Sequence, residues 1–332
     1  MEPSDYRFSR REFLGSLSLA AVAAAACRGE HYRASDFVLP EKSSVVLLAT
    51  SSYRADMAGL ISQGLALLQP VVKGRRVLLK PNMVEYEAGT IINTHPAVIA
   101  GAVEAFRRAG AREVVVGEGP GHRRDTEYLL AASGLADYLR ELRTPYVDLN
   151  LDDVRTCMLR SRFMGLDQLM LPVEVLKADL VVSMAKLKTH HWAGMTAAMK
   201  NLFGVVPGAV YGWPKNMLHN KGIDAAILDL NATVRRTFTI VDAVIAMEGD
   251  GPIMGTPRAC GFLAMGADLV AVDATCARIM GFDPRKLRYL REASQFLGNV
   301  EPDRIAQRGE DPARFSTTFG VIDRLKRFQR RG

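Results

Sequence analysis

Short apolar runs alternate with amphipathic segments along most of the chain, and this alternation constrains the fold more than any other feature. The apolar runs, which predict buried strands, cover 45–50, 76–82, 113–119, 179–185, 238–244 and 261–265. Apolar residues at helical spacing cover 56–68, 96–106, 126–140, 193–203, 222–236 and 267–280. The alternation predicts an α/β fold: a mostly parallel sheet with helices on both faces. Residues 158–172 predict a small antiparallel insert.

The pattern divides the 332 residues into four parts. We predict a signal peptide over 1–27, a tether over 28–44, one α/β domain over 45–300 and a polar, basic C-terminal tail over 301–332. The net charge is +7, and the five basic residues and one acidic residue of 323–332 supply more than half of it. The chain has no zinc-finger spacing and no basic strand with interleaved aromatic residues, so we expect no nucleic-acid partner.

The N-terminus carries a consecutive arginine pair ahead of a short apolar run. Arg10 and Arg11 precede Phe13 and an alanine-rich segment over 14–26, which is too short for a membrane-spanning helix. This order resembles the twin-arginine export signal. The resemblance implies the twin-arginine translocase as an export partner, and a location in the periplasm or on the outer face of the membrane.

Four cysteines bear on anchoring and on metal clusters. Cys27 follows the small residues 24–26 directly, as a lipid-accepting cysteine would, although Ala24 replaces the usual leucine. Plain cleavage near Ala26 is the alternative to membrane anchoring through Cys27. Cys157, Cys260 and Cys276 are far apart and form no CxxC pair, so we expect no cysteine-ligated iron–sulfur cluster.

Basic and amide side chains follow two of the predicted strands. Ligands of open α/β sheets bind beyond the carboxyl ends of the strands. Lysines that are close together repel one another unless an anion lies between them, so the sequence predicts an anion site. The alternative is a solvated basic loop. The candidate ligand-binding residues are Lys80, Asn82, Lys186, Lys188, Thr189, Lys200 and Asn201.

Histidines and carboxylates in the same regions are candidates for proton transfer and for metal binding. His190, His191 and Asp242 are the candidate catalytic residues. His190, His191, Glu248 and Asp250 are the candidate ligands of a divalent metal. Simple turn chemistry is the alternative for 248–252, because Gly, Asp and Pro favour turns. The 211–220 loop is a candidate lid or an ordinary surface loop.

Motifs of well-known enzyme classes are absent. No GxxxxGK[ST], HExxH or GxSxG occurs, and no GxGxxG follows a strand at the spacing of nucleotide-binding folds. The ordered set of pieces instead resembles the family called domain of unknown function 362. The pieces cover 80–82, 94–96, 186–190, 199–204, 242, 248–252 and 268–273. Some members of that family are described as iron–sulfur proteins, but this chain lacks the required cysteines.

The sequence leaves three functional hypotheses open. The first is an exported protein, whether or not an enzyme, that binds a small anionic ligand, with or without a metal, in a Lys/His/Asp pocket. The second is a non-catalytic periplasmic binding or metal-carrier module. The third is a structural or assembly protein of the envelope that makes contact through its basic tail.

Overall fold

A computed structural model describes residues 31–121, 125–213, 215–234 and 236–330. The predicted signal peptide and Cys27 lie outside these described residues. Within the described ranges, no helix has both the length and the apolar character that a membrane crossing requires. The described strands are β1 (Ser43–Ala49), β2 (Arg76–Pro81), β3 (Glu113–Glu118), β4 (Tyr146–Asp148), β5 (Val154–Met158), β6 (Gln168–Pro172), β7 (Leu180–His190), β8 (Gly194–Thr196), β9 (Thr237–Asp250), β10 (Met254–Gly266) and β11 (Ile305–Gly309).

The main sheet has the order β11-β1-β10-β9-β7-β2-β3-β4, with β8 added to the end of β7. The pairs β2–β3, β2–β7, β3–β4, β7–β9 and β1–β11 are parallel. The pairs β1–β10, β9–β10 and β7–β8 are antiparallel. Strands β5 and β6 form a separate antiparallel ribbon. The predicted α/β fold, with its mostly parallel sheet and small antiparallel insert, is confirmed.

Helices cover both faces of the main sheet. The described α-helices are α1 (Met57–Leu68), α2 (Pro96–Arg108), α3 (Thr126–Ala132), α4 (Leu135–Glu141), α5 (Val173–Lys177), α6 (Ala198–Asn201), α7 (Gly208–Tyr211), α8 (Asn216–Lys221), α9 (Ile223–Thr233), α10 (Leu269–Ile279) and α11 (Arg288–Ala293). Successive residues of a strand face opposite sides of its sheet, so Val45 and Val46 belong to different cores. Helices α1 and α2 pack in one core, and α9, α10 and α11 pack in the other.

Local signals explain where the main helices begin. Pro96 occupies the first turn of α2, and the His95 side chain accepts a hydrogen bond from the Ala97 N–H. Asp268 caps α10 by accepting from the Ala271 N–H. Gly134, at φ 76°, divides the predicted helix over 126–140 into α3 and α4.

Several elements differ in extent from the prediction. Strand β7 continues through His190 and is buried along its whole length, whereas the sequence predicts its end at residue 185. Strand β9 likewise continues to Asp250, which replaces the predicted turn. Residues 194–196 form β8, so the predicted helix over 193–203 begins only at Ala198. A sequence-based prediction ends β7 too early because it does not expect lysines inside a buried strand: charged residues are almost never fully buried without a partner.

The two predicted flanking segments pack against the domain. Strand β11 adds to the edge of the sheet beside β1, and Leu325 and Phe328 are buried, so the domain extends past residue 300. At the other end, the Tyr32 ring stacks on the Phe296 ring with centroids 3.9 Å apart. Only Ile305 of β11 is buried, so this short edge strand lacks the apolar pattern that would predict it.

Candidate functional site

A cavity of about 490 Å³ opens at the carboxyl ends of β2, β3, β7 and β9. Parallel strands that end together leave side chains and free backbone groups at one edge, which is where ligands of α/β sheets bind. The titratable and amide groups that line the cavity are Lys80, Asn82, Glu85, Glu118, Lys188, His190, His191, Lys200, Asn201, Lys215, His219 and Asp250.

Lys80 and Glu118 form a buried ion pair at the ends of β2 and β3. The Lys80 Nζ lies 2.7 Å from Glu118 Oε1, and both side chains are almost fully buried. Lys80 also donates to Asn201 Oδ1 at 3.1 Å. Glu118 accepts from the N–H groups of Met83 and Gly119. The charge of Lys80 is therefore balanced within the protein.

Gly204 lets the backbone approach this ion pair. A Cβ atom at residue 204 would collide with Glu118 Oε1 and with the end of the Lys80 side chain. A glycine here removes that obstacle at no steric cost. The glycine at 204 of the 199–204 sequence piece thus has a physical reason in the packing of the cavity wall.

Lys188 and Lys200 line the cavity without a carboxylate partner among the described residues. Lys188 is 1% exposed and donates to the Ile92 carbonyl oxygen at 2.8 Å. Burial, first, and the charges of Lys200 and Lys186, second, hold the pKa of Lys188 well below its ordinary value. Burial and the charge of Lys80 lower the pKa of Lys200 to about 8.

Lys215 is a cavity residue that the sequence does not single out. It is 2% exposed, has φ 69° and donates to the carbonyl oxygens of Gly119 and Gly204 at 2.6 and 3.3 Å. Burial lowers its pKa to about 7, although Glu118 opposes the shift. The sequence identifies the 211–220 loop as a candidate lid. Its lysine, Lys215, was the feature that could have indicated a residue of the site.

His190 and His219 carry their proton on different ring nitrogens. His190 Nδ1 accepts from the N–H groups of Trp192 and Ala193, both at 3.2 Å, so its proton resides on Nε2. His219 Nδ1 lies 3.2 Å from the Lys215 carbonyl oxygen, which can only accept, so Nδ1 carries the proton. Burial lowers the pKa of both imidazoles, and that of His190 falls well below its ordinary value.

The predicted metal ligands do not converge on one point. His191 Nδ1 lies 3.8 Å from Asp250 Oδ1, and both residues line the cavity. Glu248 instead accepts from the Gly320 N–H at 2.8 Å and lies 3.5 Å from Arg258. Across the part of the chain that the structure describes, no three His, Cys, Asp or Glu side chains are grouped so that they could hold a metal ion.

Lys186 and Asp242 form a second buried ion pair, apart from the residues that line the cavity. Lys186 Nζ lies 2.6 Å from Asp242 Oδ2 and donates to the Tyr53 hydroxyl at 2.9 Å. The Tyr53 hydroxyl donates to Asp242 Oδ1 at 2.9 Å, and the Tyr53 ring stacks on His95 with centroids 3.7 Å apart. Thr189 donates its hydroxyl to the Gly249 carbonyl oxygen. These contacts connect neighbouring segments of the fold.

The structure therefore divides the predicted site residues into two groups. Those that line the cavity are Lys80, Asn82, Lys188, His190, His191, Lys200, Asn201 and Asp250. Those that do not are Lys186, Thr189, Asp242 and Glu248. The sequence reasoning missed four titratable residues that also line the cavity: Glu85, Glu118, Lys215 and His219. Glu118 ends a predicted strand, a position that could have indicated it. In the described chain, Asn82 Oδ1 is buried and has no hydrogen-bond partner.

A family model described as Domain of unknown function (DUF362) matches residues 77–278, which span the cavity residues of all four strands. The chain belongs to the DUF362 family. It is 31% identical over 257 residues to a thylakoid-associated protein of Synechocystis sp.. That alignment covers 73% of this chain and 75% of the relative.

Two solved structures are similar to this DUF362 protein at lower identity. One is the lactate racemase apoprotein from Thermoanaerobacterium thermosaccharolyticum, with TM-score 0.45 and 13% identity, over 74% of this chain. The chain spans 59% of the length of that racemase. The other is a protein from Thermotoga maritima, with TM-score 0.40 and 12% identity, over 84% of this chain and 94% of that one.

Proposed function

We propose that this protein binds a small organic anion in the cavity at the carboxyl ends of β2, β3 and β7. The observation that carries the proposal is the charge of the cavity wall. Lys80, Lys188, Lys200 and Lys215 all line it, whereas Glu118 is the buried carboxylate among the described lining residues and already pairs with Lys80.

Unpaired buried ammonium groups favour an anionic ligand. A buried cation is costly unless an opposite charge or strong hydrogen bonds compensate it. Among the described residues, Lys188 and Lys215 donate only to backbone carbonyl oxygens, and the Lys200 Nζ lies over the Phe203 ring, 4.6 Å from its centroid. A carboxylate or phosphate among these three ammonium groups would supply the missing charge.

The other side chains that line the cavity restrict the chemistry of the ligand further. The free Asn82 Oδ1 is an acceptor, so it fits a ligand that also carries a hydroxyl or amino donor. Asp250 lines the cavity at an exposed position, and its carboxylate would also accept from a donor of the ligand. Trp192, Phe203 and Met254 add apolar surface. The volume is within the range of small-molecule sites.

Ligand-induced thermal stabilisation tests the proposal. The mature protein would be heated with a panel of phosphate esters and mono- and dicarboxylates, alongside Lys188→Met, Lys215→Met and the control Lys42→Met, which alters an exposed lysine. We expect stabilisation by one class of anion in the wild type and control, and its loss in both cavity variants. Equal stabilisation of all four proteins would contradict the proposal.

Export is the second part of the proposed function. The arginine pair Arg10 and Arg11 and the apolar run over 14–26 support passage through the twin-arginine translocase to the periplasm or the outer face of the membrane. The double variant Arg10→Lys/Arg11→Lys should keep the protein in the cytoplasm, as fractionation would show. Lipid attachment at Cys27 predicts that Cys27→Ala moves the exported protein from the membrane to the soluble fraction. An unchanged distribution would favour plain cleavage.

A divalent metal remains a separate expectation for this site. Of the predicted metal ligands, His190, His191 and Asp250 line the cavity, but they are not grouped around one point, so an ion would have to draw them together. Elemental mass spectrometry of the exported protein and of a His190→Ala/His191→Ala variant measures this directly. Stoichiometric metal that is lost in the variant would favour a metalloenzyme or metal carrier over a site for an organic anion alone.

A further inference from the structure

We propose that Lys200 is a nucleophilic amine that forms an imine with a carbonyl group of the bound anion. The inference rests on the proposed function and deepens it, because it assigns the ligand to the anionic aldehydes and ketones. It also assigns different tasks to the cavity lysines: Lys188 and Lys215 hold the negative charge, and Lys200 reacts.

The surroundings of Lys200 differ from those of the other three cavity lysines. Lys80 is bound by Glu118 and Asn201, Lys188 by a carbonyl oxygen and Lys215 by two carbonyl oxygens. The described residues provide no hydrogen bond or ion pair to the Lys200 nitrogen, which lies 4.6 Å from the centroid of the Phe203 ring. Lys200 is partly exposed to the cavity and can turn toward a ligand.

The local charge favours the neutral amine that an addition reaction requires. Only an unprotonated amine has the lone pair that attacks a carbonyl carbon. A lysine beside other cations and away from water loses its proton more easily, which is how enzymes activate amine nucleophiles. Burial and Lys80 act on Lys200 in this direction and lower its pKa to about 8. The pKa of Lys215 is lowered as well, to about 7, but its nitrogen is bound by two carbonyl oxygens, so the hydrogen bonds and not the pKa distinguish Lys200.

Besides the C–N bond that forms and the C–O bond that breaks, the reaction needs only proton transfers, and the two cavity histidines can assist them. The Lys200 nitrogen attacks the carbonyl carbon, a C–N bond forms and the carbonyl π electrons move to oxygen. One proton moves from this nitrogen to the oxygen, the oxygen gains a second proton, and the C–O bond breaks so that water leaves. The nitrogen then loses its second proton, so two protons in all pass from nitrogen to oxygen. Amine plus carbonyl gives imine plus water, with no change of oxidation state.

His190 and His219 line the cavity in the two states that these transfers require. The unprotonated Nε2 of His219 can accept a proton from the attacking nitrogen and pass it to the departing oxygen. The Nε2–H of His190 can donate a hydrogen bond to that oxygen. The charge of Lys200 contributes to the lowered pKa of both histidines, as expected of neighbours in one cavity.

Reductive trapping with pyridoxal 5′-phosphate, an anionic aldehyde, tests the proposal. The folded mature protein would be mixed with the probe, reduced with borohydride and mapped by peptide mass spectrometry. We expect one adduct per chain, located on Lys200. The adduct should be lost in Lys200→Arg, which keeps the positive charge but cannot form an imine, and retained in the exposed-site control Lys42→Arg.

Pyridoxine 5′-phosphate separates the failure of this inference from failure of the anion site, because it carries the phosphate but no carbonyl group. Thermal stabilisation by this compound without a trapped adduct would overturn the imine and leave anion binding intact. If the protein shows no thermal stabilisation and no adduct, the imine proposal is overturned. If the whole anion panel also fails to stabilise the protein, the proposed anion site is overturned as well. An adduct on Lys188, Lys215 or exposed lysines would also overturn it.

The pH dependence of trapping gives a measurement that does not need a variant. Adduct formation on Lys200 in the wild-type protein should increase as the pH rises through about 8, because the amine loses its proton there. Trapping that is constant from pH 6 to 9, or that declines, would overturn the assignment even if Lys200→Arg failed to fold.

Discussion

Lys186 and Lys188 are two residues apart on β7 and equally buried, at 1% exposure, yet their surroundings are opposite. Lys186 reaches the Asp242 carboxylate, the Tyr53 hydroxyl and the Ile245 carbonyl oxygen. Within the described part of the chain, Lys188 donates to one carbonyl oxygen, that of Ile92, and lines the cavity. An irregularity in the β7–β9 pairing lies between them. One lysine is therefore satisfied by the fold, and the other is left for a ligand.

The difference shows how to separate structural from functional lysines in this protein. A buried charge that lacks a partner reduces stability, so it persists where function requires it. By this criterion Lys80 and Lys186 are structural, because Glu118 and Asp242 neutralise them. Lys188, Lys200 and Lys215 remain as the groups that can recognise an anion.

The largest effect should come from Asp242→Ala, which removes the charge partner of Lys186. We expect the free energy of unfolding to decrease by about 3–5 kcal/mol, the cost of leaving a buried ion unpaired. Urea denaturation measures it. The double variant Lys186→Met/Asp242→Leu should recover most of the loss, because neither charge is then buried. A loss below about 1 kcal/mol in the single variant would break the distinction between the lysines.

Gly204→Ala should have the next largest effect, because the new methyl group would separate Lys80 from Glu118. Overpacking of this kind costs about 1–3 kcal/mol. Denaturation of Gly204→Ala beside Gly121→Ala provides the comparison, since a Cβ at Gly121 meets no atom of the described residues within 4 Å. Equal stability of the two variants would show that the wall of the cavity is more adaptable than the contacts indicate.

Lys188→Met should change stability in the opposite direction from Asp242→Ala. It removes a buried cation without a carboxylate partner, so we expect the free energy of unfolding to increase by about 1 kcal/mol in the absence of ligand. Anion binding should weaken at the same time. Calorimetric titration and denaturation of one preparation would measure both, and a variant less stable by more than about 1 kcal/mol would assign Lys188 a structural role.

The smallest effect is on pH dependence: anion affinity and the stability of the ligand-free protein should change with pH in opposite directions. Sulfate keeps its charge over the range, so its affinity should decrease as the pH rises through about 7 and 8, where Lys215 and Lys200 lose their protons. Without an anion, stability should instead increase with pH above about 7, because the unfolded state then binds more protons at these lysines. If sulfate affinity and stability changed with pH in the same direction, the assignment of these effects to Lys200 and Lys215 would be contradicted.

The sequence was sufficient for the order of the main strands and helices between residues 45 and 280, since the change between strand and helix spacing is local, but it did not predict β8 or β11. It was also sufficient for most of the cavity, including Lys80, Asn82, Lys188, His190 and Lys200, because parallel strands bring their carboxyl ends together. The predicted strands were shorter than the observed β7 and β9, because the lysines and carboxylates near their carboxyl ends are not residues typical of buried strands.

Which charges pair with which was decided only by the tertiary structure. Lys186 and Lys188 look equivalent in the sequence, and only the packing of β9 and the 53–54 turn gives one of them Asp242 and Tyr53. Likewise Lys215 joins the cavity through a left-handed backbone conformation and two long-range carbonyl contacts. Periodicity is a property of neighbouring residues, whereas neutralisation of a buried charge depends on residues brought together from distant parts of the chain.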